Sequence, residues 1–312
     1  MQKSKYYTIT KDKLNYTVTV HIDKDIPLYR YRRFNEFTLS DLINDQLSFS
    51  TPDNFNDPYD SMPTYDAGRI SEIQCLYRDK LGLNISDEEV DYFLKSLMKI
   101  TTNVVSIASF SETIRNEIMW AHYADCGKGF ALEYDCSSLK SLSEVYEDNQ
   151  RLALNKTRKD LDYFKKEPFV SIAPVIYSNR KYDMTDYVID SIKYQIDNKL
   201  INKNREEIVA KTLEHIGDER IKGINETVLL SKSKDWQYER EWRLIISNPN
   251  YELASGFCSL YGIRPRVIYL GEFINEYAKQ VLMSIAKEKD IKIHQMQSVM
   301  TKTKIKLVPK KL

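Results

Sequence analysis

Glycine is scarce in this chain, with 9 in 312 residues, about 3% against a usual share of roughly 7%. No G-x-x-x-x-G-K-S/T run occurs, which excludes a Walker-type phosphate loop. No G-x-G-x-x-G follows a strand pattern, which removes the dinucleotide fingerprint of doubly wound folds. Gly127-Lys128-Gly129 has the spacing of neither. Histidine is equally thin, four in all, with no H-E-x-x-H and no G-x-S-x-G elbow. The four cysteines, at 75, 126, 136 and 258, form no C-x-x-C pair. His122 and Cys126 could share a helical face as metal ligands, but no second pair has zinc spacing. A chain of this size with so few cysteines is not a disulfide framework. Excess charge of one sign is missing too: Lys plus Arg make 46 and Asp plus Glu 45, a net of +1. That balance gives no case for a dedicated duplex nucleic-acid binder and none for an anionic membrane as main partner. No apolar run approaches transmembrane length, and the first residues, MQKSKYYTIT, lack a signal-peptide core. The expectation is a soluble, reducing, cytoplasmic protein.

What is present suffices for a buried core: 42% hydrophobic and 12% aromatic residues, with 22 tyrosines. Residues 5–20 alternate around Lys11–Lys13 as a hairpin or edge ribbon. Short strands are expected at Leu28–Phe34, Leu47–Ser50, Val104–Phe110, Phe130–Tyr134, Val170–Tyr177, Trp242–Ser247, Arg266–Leu270, Ile291–His294 and Lys304–Val308. Helical spacing marks Thr38–Gln46, Ala67–Ile100, Asn116–Ala124, much of 137–166, 184–200, 204–231 and Glu276–Lys289. Ser86 followed by Glu89 has the form of a capping box. Strands and helices alternate irregularly, with no repeat and no low-complexity linker. The fold class expected is α+β, with short-stranded mixed or antiparallel sheets and surrounding helices. The whole of 1–312 reads as one domain, with 184–231 as a helical insertion or lobe.

Four polar segments stand out. On a strand through Tyr29-Arg30-Tyr31-Arg32, period two puts Arg30 and Arg32 on one face, either as paired guanidiniums suited to phosphate or carboxylate or as the solvated face of an exposed edge strand. Asn56 and Asp57 sit at a turn before Pro58, either as an Asx-turn or as a loop tip offered to a ligand. Phe110-Ser111-Glu112-Thr113, where Ser111 could simply cap the next helix, leads into Met119-Trp120-Ala121-His122-Tyr123. His122 is the histidine best placed for a ligand but reads first as a satisfied core histidine, and Trp120 and Tyr123 could equally be core. Finally, Lys232, Lys234 and Trp236 precede Tyr238-Glu239-Arg240-Glu241-Trp242-Arg243. On a strand Glu239, Glu241 and Arg243 would share one face, and if buried they must be paired. That is either a structural ion pair or a catalytic E-x-E at a cleft rim.

These segments, in this order, resemble the bacterial family catalogued as domain of unknown function 2971. The likeness runs over about residues 28–308, through Leu28-Tyr29-Arg30-Tyr31, Phe49-Ser50, Phe55-Asn56-Asp57-Pro58-Tyr59, Ser109-Phe110-Ser111 and Met119–Tyr123. It continues through Gly129-Phe130, Val175-Ile176-Tyr177, Tyr238–Arg243 and Ile268–Gly271. An Arg-bearing first strand, a Ser-bearing second and a late E-x-E strand also look like the R-S-E pattern of ADP-ribosyltransferases, with Phe-Ser-Glu-Thr where that family has Ser-Thr-Ser. That likeness implies an ADP-ribosyltransferase-like fold and cleavage of NAD at the nicotinamide–ribose bond. NAD would be a substrate, with no tightly bound cofactor and no metal. Glu241 would stabilise charge on the ribose, and Glu239 would orient or deprotonate the acceptor. Arg30 or Arg32 would hold pyrophosphate, Ser109 or Ser111 would supply the serine, and Trp120 or Tyr123 would stack on nicotinamide. The partner implied is a small-molecule nucleotide with an unidentified acceptor macromolecule, in a bacterial effector or phage-defence toxin. Two other readings stay open: a metal-dependent nuclease or nucleotide hydrolase using Asp57, His122 and Glu241, and a non-catalytic ligand-sensing or interaction module.

Overall fold

A computed structural model of the chain describes residues 2–12, 15–20, 26–81, 105–139, 170–200, 204–216, 227–247 and 257–312, with Ser86 and Glu88. The fold is mixed α+β. In chain order the elements are β1 (Gln2–Lys3), β2 (Tyr7–Asp12), β3 (Asn15–Val20), β4 (Pro27–Arg32), α1 (Glu36–Ile43), β5 (Gln46–Ser50), α2 (Ala67–Leu81), β6 (Val105–Ser111), α3 (Glu117–Tyr123) and β7 (Phe130–Asp135). They continue as β8 (Val170–Pro174), β9 (Ile176–Tyr177), α4 (Thr185–Asp197), α5 (Arg205–Ile216), β10 (Ser231–Lys232), β11 (Glu241–Ser247), β12 (Phe257–Tyr261), β13 (Val267–Leu270), α6 (Glu276–Glu288), β14 (Lys292–Met300) and β15 (Ile305–Lys311). Short 3-10 turns occupy Pro52–Asn54 and Lys234–Glu239.

The expected ribbon over 5–20 is the β2–β3 hairpin. Ten strands build the main sheet in the order β12-β5-β6-β4-β7-β13-β14-β15, with β11 beside β6 and β8 beside β11. Its pairs are antiparallel except β13 with β14, the parallel pair that α6 connects. Helix starts follow side-chain chemistry. Asn35 Oδ1 accepts from Thr38 N at 2.9 Å while Thr38 Oγ1 accepts from Asn35 N, a reciprocal cap on α1. Asn116 caps α3 through Ile118 N and Met119 N, and Asn275 caps α6 through Ala278 N.

Strand β6 shapes the site. It pairs with β11 over seven residues, from Glu241 opposite Ser111 to Ser247 opposite Val105. On its other edge it has one paired position with β4, Tyr29 opposite Ser111, and one with β5, Ser50 opposite Ile107. The sheet therefore divides along that edge, and the largest core, including Leu28, Phe49, Phe110, Trp242 and Leu244, packs around the division. Gly129 keeps β7 close to β4: a Cβ there would run into the Arg32 carbonyl.

Several expectations change in detail. The strand expected at Ile291–His294 extends to Met300, and β12 has no counterpart among the expected strands. The helix expected over 204–231 is described as α5 only to Ile216. At the far end of that stretch, Ser231 begins a short strand parallel to Ile176–Tyr177, because Ile176 N and Ser178 N take up the Leu230 and Lys232 carbonyls. The helix expected over Glu276–Lys289 ends at Glu288, with Lys289 as its cap. Of the helices expected over Ala67–Ile100 and 137–166, residues 82–85, 87, 89–100 and 140–166, and with them Glu89 of the Ser86–Glu89 box, lie outside the described residues.

Candidate active site

The division in the sheet opens into a cavity of about 330 Å³. Its walls gather Arg30, Arg32, Asn56, Ser109, Ser111, Tyr123, Glu239, Glu241 and Arg243, from segments widely separated in the chain. Asp57, Trp120 and His122 are not among its walls. Asp57 is buried in the turn, where its Oδ1 accepts from Tyr59 N at 2.9 Å. Trp120 is core, donating from Nε1 to the Ile114 carbonyl and packing edge-on to Tyr31. His122 is exposed beside Tyr123 and Tyr238.

The floor is a buried ion network. Arg243, 0% exposed, reaches Asp60 twice, Nη1 to Oδ1 at 2.9 Å and Nη2 to Oδ2 at 2.6 Å. Its Nε donates to Glu241 Oε1 at 2.9 Å, and Nη1 also reaches Ser61 Oγ and the Leu229 carbonyl. Lys232 Nζ stands among three carboxylates: Glu239 Oε2 at 2.6 Å, Glu241 Oε2 at 3.1 Å and Asp60 Oδ2 at 3.5 Å. Two cations thus answer three carboxylates, each charge satisfying the pairing that burial demands.

Strand alternation predicts Glu239, Glu241 and Arg243 on one face. Only Glu241 and Arg243 share it, with Trp242 and Leu244 packed into the core behind them. Glu239 closes the 3-10 turn, and Arg240, at φ 45°, sits in the left-handed region between the two glutamates. That one residue turns the chain, so both carboxylates still reach the same ammonium.

The network separates the two glutamates electrostatically. Burial alone would raise Glu241, but Arg243 and then Lys232 overcome it and hold its carboxyl well below the ordinary range. Glu239 is raised, chiefly by burial, with Glu241 adding to the effect against the opposing pull of Lys232. Tyr123 OH donates to Glu239 Oε1 at 2.5 Å and accepts from Asn56 Nδ2 at 2.8 Å. Ser111 Oγ donates to the Glu239 carbonyl at 2.6 Å, and Tyr177 OH accepts from Glu241 N at 2.8 Å.

The opposite wall differs. Arg30, 9% exposed, donates from Nη2 to the Ser48 carbonyl, while its buried Nη1 has no partner. Burial, then the neighbouring Arg32, lowers its hold on its proton. Arg32 is half-buried and makes no ion pair among the described residues. Asp41, which acts on both through space, spends its oxygens on Ser48 Oγ. Two adjacent guanidiniums without a carboxylate in contact are suited to an anion from solution.

Lys232, Asp60, Ser61 and Tyr177 complete the network, and none of them is among the expected site residues. Lys232 opens the polar segment that includes E-x-E, Asp60 follows the turn that includes Asn56, and Tyr177 closes the Val175-Ile176-Tyr177 stretch of the family resemblance, so proximity to those segments is the signal that could have found three of the four.

Residues 119–244 match the family model described as "Protein of unknown function (DUF2971)", so this stretch of the chain is similar to that family. The match takes in Tyr123, Lys232, Glu239, Glu241 and Arg243 and leaves Arg30 and Arg32 outside it. No curated protein matches, and no solved structure matches. No helix among the described residues is long and apolar enough to cross a membrane.

Proposed function

We propose that the cavity binds NAD and that the protein cleaves its nicotinamide–ribose bond in the manner of an ADP-ribosyltransferase. The observation that carries this reading is the Glu239–Glu241 pair. Its members share one ammonium, their proton affinities are pushed apart, and they face two guanidiniums with no ion-pair partner among the described residues. Separated proton affinities in neighbouring carboxyl groups divide the work between them. As nicotinamide leaves, positive charge builds on the ribose, as in other oxocarbenium-like transition states. Glu241, held ionised away from water, stabilises that charge. Glu239, with its raised proton affinity, accepts the proton of the attacking acceptor or water. Arg30 and Arg32 take the pyrophosphate, and Tyr123 orients Glu239. The products are nicotinamide, the ADP-ribosylated acceptor or free ADP-ribose, and one proton. The thiols of Cys75 and Cys126, which form no disulfide among the described residues, suit a reducing cytoplasm, where an effector or phage-defence toxin would meet NAD.

Purified protein is incubated with NAD and released nicotinamide is followed, with Glu241→Gln in parallel and its fold checked by circular dichroism. Release by the parent that disappears in the folded variant supports the reading. Absence of both release and NAD binding overturns it. A second reading is favoured by one observation: Arg243, Lys232 and Ser109 already engage the Glu241 carboxylate. In that reading the network is structural and the arginines sense an anion without turnover. Glu241→Gln then lowers stability, and ADP-ribose still binds in a manner that depends on Arg30 and Arg32.

A further inference from the structure

An even balance of charge over a whole chain is an average, and here it conceals a separation. Between Ile291 and Leu312 there are six lysines, Lys292, Lys302, Lys304, Lys306, Lys310 and Lys311, and no aspartate or glutamate. The remainder of the chain is consequently net acidic. All six lysines are exposed, and none makes an ion pair among the described residues. They lie on the β14–β15 hairpin, paired from His294 opposite Lys311 to Met300 opposite Ile305.

The tip of this hairpin is apolar and exposed: Met300 at 84%, Ile305 at 53% and Val299 at 44%. Its turn is held by Thr301, whose N and Oγ1 both donate to the Lys304 carbonyl and whose Oγ1 accepts from Lys304 N. Lys302 and Lys304 are therefore presented on an ordered turn beside the apolar tip. Farther along, Glu272 accepts from Ser298 N and Oγ, so this carboxylate is bonded to the strand and not to a lysine.

We propose that the β14–β15 hairpin docks on an anionic lipid surface, with Met300, Val299 and Ile305 entering the headgroup boundary and the lysines facing lipid phosphates and carboxylates. Apolar insertion combined with basic flanks is the recipe for interfacial binding. The hairpin has neither the arginines that read bases nor the Phe, Tyr or Trp rings on which single-stranded bases stack, which favours lipid over nucleic acid. This docking concerns a surface other than the cavity and does not depend on what the cavity binds.

Full-length protein is sedimented with vesicles of phosphatidylcholine alone and with vesicles that also contain phosphatidylserine, in low-salt buffer. The parent is expected to pellet with the anionic vesicles only and to be released by added salt. Each lysine near the surface is worth about fivefold in partitioning, so the K302Q/K304Q/K306Q variant should bind on the order of 100-fold more weakly. M300S should bind a few-fold more weakly with its charge unchanged. Equal pelleting with both vesicle types overturns the proposal, as does parental binding by the lysine variant. Absence of vesicle binding overturns it too, including the case in which the same lysines bind single-stranded RNA instead. The substituted side chains are exposed, and unchanged circular dichroism verifies the fold of each variant.

Discussion

Arg243 and Lys232 stand on one side of the cavity among three carboxylates, whereas Arg30 and Arg32 stand on the other with no carboxylate in contact among the described residues. Both sets are cations taken out of bulk water, so both carry a desolvation cost. On the first side that cost is met within the chain: Arg243 makes bonds to Asp60, Glu241, Ser61 and Leu229. On the second side it is left open, since Arg30 has one carbonyl for two terminal nitrogens. Charges satisfied internally maintain the fold; charges left unsatisfied beside a cavity are available to a ligand.

The strongest way to break this contrast is to remove a satisfied charge. Arg243→Met should cost roughly 3–5 kcal/mol, because Asp60 and Glu241 stay buried with their principal partner gone; urea unfolding measures it. The mirror experiment is Arg30→Gln with Arg32→Gln. It should move stability by no more than about 1 kcal/mol and weaken ADP-ribose binding by about 10- to 100-fold, read by calorimetry. If the arginine variant unfolds as readily as the Arg243 variant, the two walls are not different in kind.

Acid sharpens the comparison. Glu241 is held down to about 2 against an unfolded value of about 4.3. Its contribution to stability is therefore complete above the unfolded value and is lost as pH falls towards the folded one. Glu239 is raised, which has the opposite sign: its ionised form costs stability, and protonation relieves that cost. The denaturant midpoint of the parent should fall as pH drops from about 5 to about 3, and Glu241→Gln should show a shallower fall. The smallest effect is expected of Tyr123→Phe. It removes the hydrogen bond to Glu239 and the acceptor of Asn56, costs about 1 kcal/mol and raises the proton affinity of Glu239 further.

Much of this is legible from pattern. Alternation in Tyr29-Arg30-Tyr31-Arg32 puts the arginines on one face, and Arg30 does lie over Phe110 while Tyr31 packs on Trp120. The late E-x-E segment is recognisable as a charge cluster that needs partners. What sequence does not supply is the partner of each charge. Asp60 meets Arg243 across 183 positions, and nothing in either neighbourhood announces the other. The left-handed turn at Arg240 is equally hidden, because an arginine carries none of the conformational signal of glycine. Local composition up to Ser231 reads as helix, and the pairing with Ile176 that makes this residue a strand is a long-range event.

The junction at β6 has a consequence for kinetics. One edge of that strand carries a seven-residue ladder, while the other is joined to β4 at a single position. The proposed ligand, entering between β4 and β6, would meet a single paired position and no longer ladder of backbone bonds, so its entry is expected to be limited by desolvation of the pocket and not by opening of the sheet. Occupancy should register as slower amide exchange along Tyr29–Arg32 with little change in β11, as a wedge steadies a hinge that was already ajar.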